Sequence, residues 1–239
     1  MKTIAIMQPG YLPWIGLFEL MHRSDIFFIY DTVKFTKNDW RNRNRIKTAN
    51  GPLWLTVPAN SSGEPLLSDI LIDKKTAWRK KHLKSIELNY GKSEYFNKYF
   101  PGVEKILSKE WYKLNELNLA FIKFLADSFN IKYKLKLASE MPERRDLDTL
   151  KKVERLIKIC KISKADIFYE AAGGKGYLEN EIKNFEAEGI KLIFQNMEII
   201  PYRQLHGEFI PCLSALDLLM NEGENGREII IKSGSKFKN

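Results

Sequence analysis

Thr3-Ile4-Ala5-Ile6-Met7, followed at once by Gln8-Pro9-Gly10-Tyr11-Leu12-Pro13-Trp14-Ile15-Gly16, is the stretch on which the fold turns. The first five residues are an apolar run of strand length, and Trp14 to Met21 (WIGLFELM) reads as the start of a helix. Between them lies a loop with two prolines, a glycine, a tyrosine and a glutamine. In an open α/β sheet, ligands bind outside the carboxyl end of a strand, where the next helix begins. The loop is therefore where a site is expected. A rigid turn with Pro13 near the first helical position is the plainer reading.

The chain has 239 residues, 44% of them hydrophobic, with five Trp, ten Tyr and fourteen Phe. That supplies a sizeable core for one domain. A single domain over 1-239 is expected, with a mainly helical subregion at about 76-130. Cys160 and Cys212 have neither metal-ligand spacing nor a disulfide framework. Cys160 lies in an apolar helix pattern; Cys212 is open between a small packing residue and a reactive thiol. The three histidines are scattered, so no metal site is expected. No run approaches the roughly 18 uncharged apolar residues of a membrane helix. A cytoplasmic protein is expected, with association at the inner face of the membrane left open. The formal charge of +9 favours anionic partners. Much of the excess sits on helix-face lysines and in the tail Lys232 to Lys238, where solvation explains it.

Working outward, Asp25 to Val33 (DIFFIYDTV) is a second strand, rich in aromatic and β-branched residues. A polar, basic stretch runs from Lys34 to Gly51, where Asn50-Gly51 signals a turn. Trp54 to Pro58 and Asp69 to Asp73 are further strand candidates. Trp78, His82, Ile86 and Tyr90 recur every four residues, which puts them on one helical face. Pro101 is expected to break the region, with helices continuing over 103–111 and 113–129. Ile131 to Leu137 alternates as a strand, Leu147 to Cys160 marks one helix, and Ile167 to Ala171 is a strand followed by Gly173-Gly174-Lys175-Gly176. A helix over 179–188, a strand over 190–194 and a helix over 213–220 complete the pattern. This alternation predicts an α/β fold: a Rossmann-like, mostly parallel sheet flanked by helices, with a helical insertion in the middle of the chain.

Four segments carry candidate chemistry. In the opening loop, Gln8 offers both donors and an acceptor, while Tyr11 and Trp14 offer flat surface for a sugar or base. Gly16 allows close approach of a backbone or phosphate. Asp31, at the end of the second strand, suits a substrate amine or the role of base. Lys34 follows it. The run Trp40 to Lys47 reads as too polar for the core. Its Arg43 and Arg45 point the same way in an extended segment and suit phosphate capture, with Asn42 before them and Asn44 between them. A solvated basic loop is the bland alternative, and an RNA-contacting loop a third. Lys175 and Tyr177 sit in a glycine-rich turn that lacks Walker spacing. In the loop after 201, His206 is the candidate acid or base, with Gln204 beside it. Ser214 and Asp217 read as a helix cap.

Taken together, these segments resemble the WbqC-like protein family. The matching pieces are Gln8-Pro9-x-Tyr11-Leu12-Pro13-Trp14-x-Gly16, Asp25-x-Phe27, Asp31-x-Val33, Trp40-x-Asn42-Arg43-Asn44-x-Ile46, Asn50-Gly51 and Trp54-Leu55-Thr56-Val57-Pro58. Trp78 with His82, Tyr90, the stretch Tyr169 to Tyr177, and Phe209-x-Pro211-x-Leu213-Ser214-x-x-Asp217-Leu218-Leu219 with Asn221 and Gly223 complete them. The family often shows His-Gln-Pro where this chain has Met7-Gln8-Pro9, so no histidine role is carried over to position 7. The resemblance implies a bacterial protein of O-antigen (lipopolysaccharide) or other surface-glycan biosynthesis, and a glycine transfer onto an amino sugar. The opening is also similar in architecture to the HIGH-type adenylating enzymes, but Pro13-Trp14-Ile15-Gly16 lacks both histidines of their motif.

The expected function is accordingly a transferase that moves a glycyl or other acyl group onto a nucleotide- or lipid-linked amino sugar. His206 or Asp31 would take the amine proton. Gln8, Tyr11, Trp14, Lys34, Asn42, Arg43, Asn44, Arg45, Lys175, Tyr177 and Gln204 would bind substrate. No tightly bound cofactor is expected; the acyl donor would be a carrier-protein thioester, coenzyme A or aminoacyl-tRNA. A non-catalytic sugar-nucleotide or glycan-binding protein, an RNA-binding protein, and a homodimeric assembly are open alternatives.

Overall fold

The apolar run at the amino terminus becomes β1 (Thr3–Met7), the central strand of the sheet, in a computed structural model that describes residues 1–234. The end of the basic tail, residues 235–239, lies outside the described residues. After β1 come α1 (Ile15–Arg23), β2 (Ile26–Ile29) and two small antiparallel pairs, β3 (Arg43–Thr48) with β4 (Gly51–Thr56) and β5 (Ala59–Asn60) with β6 (Leu71–Ile72). The helices α2 (Trp78–Tyr90), α3 (Phe96–Ser108) and α4 (Leu114–Ser128) lead to β7 (Leu135–Leu137). Then follow α5 (Arg144–Thr149), α6 (Lys152–Ile162), β8 (Ile167–Glu170), α7 (Lys175–Leu178), α8 (Ile182–Ala187), β9 (Lys191–Phe194), α9 (Ala215–Glu222) and α10 (Gly226–Ser233).

Five strands form one sheet in the order β7-β2-β1-β8-β9, and every pairing in it is parallel. The expected α/β, Rossmann-like arrangement is what the chain adopts. A parallel sheet is covered on both faces, so its central strands must be apolar on both. β1 and β2 meet this: nearly every residue is buried, and alternate side chains go to opposite cores. Ala5, Phe27 and Ile29 pack with α1, α4, α9 and α10. Ile4, Ile6, Ile26 and Phe28 pack with Leu156, Ile159 and Cys160 of α6 and Phe185 of α8.

The helical stretch expected at about 76-130 is present, and it is the crossover from β2 to β7 rather than a separate cap. Ile86 and Tyr90 of α2, Val103 and Leu107 of α3, and Leu117, Phe121 and Leu125 of α4 join the core on the α1 side of the sheet. Pro101 does not break α3. The carbonyl left without a donor is that of Asn97, and both residues face solvent, where water satisfies it. Two further readings are corrected. The helix expected over 147–160 is two, α5 and α6, separated at Leu150-Lys151. The run Arg43 to Thr48 is no solvated loop but strand β3, with Asn42, Asn44, Ile46 and Lys47 buried.

Buried carboxylates tie the layers together. Asp31 is fully buried just past β2; it accepts hydrogen bonds from Asn115 Nδ2 (2.9 Å), the Ser139 amide (2.9 Å) and Ser139 Oγ (2.7 Å). It thereby joins β2 to α4 and to the chain after β7. Asp217 of α9 accepts from Tyr90, Tyr202 and Gln204, each at 2.8 Å. Glu19 of α1 accepts from Tyr169 at 3.0 Å and Gln195 at 2.6 Å. Removing one partner from such a set leaves buried donors unmet. Asp31→Ala is expected to lower the unfolding free energy by about 3–5 kcal/mol. Urea denaturation checks this: an unchanged midpoint would mean that the Asp31 tie carries no load.

Candidate functional site

The strand order reverses at β1. The chain runs outward through β2 and β7, then crosses to the other side of β1 to make β8 and β9. Loops leaving β1 and β8 therefore diverge and open a crevice between their carboxyl ends. A cleft of about 1260 Å³ lies there. Its base is Ile6, Met7, Gln8 and Pro9 from β1 and its loop, with Glu170 to Gly174 from the end of β8. One wall is Pro13, Trp14 and Leu17; another is Trp40, Arg41 and Asn44; a third is Lys152, Arg155 and Leu156 of α6, with Tyr177 above them. The volume exceeds that of an ordinary small-molecule pocket and suits a ligand of nucleotide-sugar size.

The loop cannot brace itself, because its prolines lack amide donors. Neighbouring elements hold it. The Tyr11 amide donates to the Trp40 carbonyl (3.1 Å), the Asn44 amide group donates to the Leu12 carbonyl (2.7 Å), and the Ala215 amide donates to the Pro13 carbonyl (2.8 Å). Leu12 is thereby kept at φ +46°, a conformation unfavourable for a leucine. Gly10 is needed for the same contact, since a Cβ there would lie 3.0 Å from the Trp40 carbonyl oxygen. Gly16 has another reason than the expected phosphate approach. The indole of Trp14 lies over it, and a Cβ would meet the ring at 2.3 Å.

Glu170 is the group that stands out. It ends β8 buried in the cleft, and its Oε1 accepts a long hydrogen bond, 3.4 Å, from the Tyr177 hydroxyl. Burial pushes its pKa up to about 8, with Tyr177 and the charge of Lys152 only partly opposing the shift. Burial likewise raises the Tyr177 hydroxyl, and the Glu170 charge adds to it. The Lys152 ammonium sits 3.3 Å from the centre of the Tyr177 ring. It is the first residue of α6, so helix dipole and side chain present positive charge together. Arg155, one turn on, donates to the Leu150 carbonyl at 3.1 Å. Arg41, on the opposite wall, is neutralised by Asp39.

Of the residues picked out from the sequence, Gln8, Trp14, Lys34, Asn44 and Tyr177 line the cleft. Lys34 is exposed at its edge and paired with Glu64 at 2.6 Å. The structure does not bring the others in. Asp31 is consumed by its three hydrogen bonds. Tyr11 is fully buried with its hydroxyl 2.9 Å from His82 Nδ1, so it offers no face to a sugar. Asn42 is buried and donates to the Val57 carbonyl at 2.9 Å. Gln204 bonds Asp217 and Ile210. His206 lies in a separate loop, its Nε2 2.9 Å from the Asn89 carbonyl oxygen. The carbonyls of the next two residues, Gly207 and Glu208, accept from Lys47. Arg43 and Arg45 are on the outer face of β3, and Lys175 is exposed beside Tyr177 outside the lining. Cys212 is exposed at the rim, at φ +57°. Ser214 caps α9 as expected, accepting from the Leu216 amide at 3.2 Å. Glu170, Lys152 and Arg155 were missed; an acid ending a buried strand beside a glycine turn was the available signal.

Fold and cleft together define an α/β protein with a ligand crevice at the switch point of a parallel sheet. The chain belongs to the WbqC-like protein family, whose model matches residues 8–229. It is also similar to the uncharacterized protein Rv1507c of Mycobacterium tuberculosis, 34% identical over 227 residues, which cover 93% of this chain and 95% of that one. No solved structure matches. Among the described residues, no helix is long and apolar enough to cross a membrane.

The state of Glu170 makes a stability test. Its folded pKa, about 8, lies above the ordinary 4.5, so folding holds this proton. The associated stability is full below about pH 4.5 and is lost as pH rises through about 8. The parent is expected to lose on the order of a few kcal/mol across that window relative to Glu170→Gln. Thermal melts of both proteins from acid to mildly alkaline pH check it. Parallel curves would place Glu170 in an unshifted environment.

Proposed function

We propose that the cleft is the active site of a transferase that moves a glycyl or other acyl group onto the amino group of a nucleotide-linked amino sugar. The observation that carries this reading is Glu170, a buried carboxyl without a strong partner at the switch point of the sheet. An ammonium is no nucleophile; the amine must first lose a proton. A carboxylate whose affinity for protons is raised by burial is a better base than a solvated one, and its pKa of about 8 lies near working pH. In the step proposed, the ammonium first gives one proton to solvent; as the neutral amine nitrogen attacks the acyl carbonyl carbon, Glu170 takes a second proton from it. The new carbon–nitrogen bond replaces the thioester or ester bond to the carrier, and Glu170 returns the proton to the departing sulfur or oxygen. Atoms and charge balance without a metal or redox partner.

The other lining residues support the same assignment. Lys152 has no carboxylate partner among the described residues, and with Arg155 it gives the cleft a cationic wall for a diphosphate. Gln8, half-buried at the end of β1, offers an amide to a sugar hydroxyl or to the developing oxyanion. Trp14 supplies an apolar face for the sugar ring. Carrier-protein thioester, coenzyme A and aminoacyl-tRNA are the donors to try. The family's general association with O-antigen and other surface glycans fits an amino-sugar acceptor.

Glu170→Gln is isosteric and keeps the Tyr177 contact. It is expected to lower kcat by about 100-fold or more while leaving sugar-nucleotide affinity within about threefold. Calorimetric titration with nucleotide-linked amino sugars and an amide-forming assay with each donor check this. In the parent, kcat/KM should rise with pH toward a plateau above about 8, because the carboxylate is the active form. Undiminished turnover in the variant would remove Glu170 as base. Sugar-nucleotide binding with no turnover from any donor would favour a non-catalytic binding protein.

A further inference from the structure

We propose that the outer face of the β3–β4 hairpin binds single-stranded RNA and carries an RNA-borne acyl donor to the mouth of the cleft. The donor role rests on the transferase reading above; the binding itself does not. Around Arg43 to Ile46 and Trp54 to Leu55 the side chains of the hairpin alternate between a buried and an outer face; beyond them Lys47 is buried and Leu53 exposed. Asn44, Ile46 and Leu55 are buried, whereas Arg43, Arg45 and Trp54 point outward, with Arg45 directly opposite Trp54 across the pair. Trp54 is 41% exposed and Trp40 48%, and their rings lie 5.4 Å apart. Two large indoles side by side at the surface are unusual without a partner.

The arginines give the platform its sign. The Arg43 guanidinium lies 4.3 Å from the centre of the Trp54 ring, and that of Arg45 lies 5.6 Å from Trp54 and 5.8 Å from Trp40. Neither is paired with a carboxylate among the described residues, and the Nε of each is buried without a partner. From Lys34 to Thr56 the chain carries six basic side chains and a single acid; with Arg41 paired to Asp39, Lys34 paired to Glu64 and Lys47 buried on backbone carbonyls, the positive charge presented here is that of Arg43, Arg45 and the exposed Lys37. Positive charge interleaved with flat rings matches a strand of phosphates and unpaired bases, because every base has a face to stack. An acidic carrier protein would use the charge but not the indoles. The platform also leads somewhere: Trp40 lines the cleft, and Arg45 donates to the carbonyl of Cys212 (3.2 Å) at its rim. A strand laid on the hairpin ends over the cavity that holds Glu170.

The test is fluorescence anisotropy of the full chain with a short, labelled single-stranded RNA at several salt concentrations. Trp54→Ala is expected to weaken binding about tenfold, and Trp54→Phe to restore it within about threefold. Replacing Arg43 and Arg45 together by Ala should reduce the salt slope by about 1.4, for two lost phosphate contacts. Thermal melts confirm that each variant is folded. Glu170→Gln should bind RNA like the parent, so failure of the transferase reading and failure of this one remain distinguishable. Four results overturn the proposal: equal affinity of Trp54→Ala and parent, a duplex of the same sequence competing as well as the single strand, tighter binding of single-stranded DNA, or displacement of the RNA by an acidic acyl carrier protein.

Discussion

A loop with two prolines and a leucine at positive φ has no means of holding its own shape, and the cleft depends on it. Residues 8–13 keep their path only because other elements reach in to bond their backbone: Trp40 and Asn44 from one side, Ala215 at the head of α9 from another. These donors and acceptors come from segments far apart in the chain. The cleft is therefore complete only when the hairpin, α9 and the sheet are all in place.

Buried carboxylates divide into two kinds. Asp31, Asp217 and Glu19 each meet two or three good donors at 2.6–3.0 Å. Their hydrogen-bonding capacity serves architecture, and the elements they join could not be parted cheaply. Glu170 is also buried, though it lines the cleft, and has one long contact from Tyr177. Burial raises the pKa of both Glu170 and Asp217, but three good donors oppose the shift at Asp217 and only the long Tyr177 contact and the charge of Lys152 oppose it at Glu170. The contrast within one protein separates a structural tie from a carboxyl left with unused hydrogen-bonding capacity more firmly than residue type does. Residue type alone had pointed to Asp31 and His206.

Much of the fold was legible because parallel strands and amphipathic helices leave strong patterns. The apolar runs at 3–7 and 167–170, and the four-residue spacing of Trp78, His82, Ile86 and Tyr90, translate directly into β1, β8 and the buried face of α2. The loop after the first strand does form the base of the candidate cleft, as the position of such a loop at a strand's carboxyl end implies. The run Trp40 to Lys47 failed for a definite reason: polarity was read as exposure. Asn42 and Asn44 are buried because their amides serve as backbone substitutes, bonding carbonyls that would otherwise be orphaned. Pro101 misled because its cost depends on whether the freed carbonyl sees water, which the sequence does not reveal. His206 had the right chemistry in the wrong place, bonded to the Asn89 carbonyl. Glu170 was not picked out: an acid at the end of a buried strand beside a glycine turn is a weak local signal, and it gains weight only once the order of strands is known.

One wall of the cleft is built unusually. The indole of Trp14 rests on its own chain, over the hydrogen of Gly16. The cavity's width on that side is consequently set from beneath, by an atom that never faces the ligand. A methyl group added at position 16 would lift the ring and resize the chamber while leaving every lining residue chemically unchanged. Tolerance for bulkier or slimmer ligands in this architecture is thus adjustable from a hidden position, without disturbing the groups that would perform the chemistry.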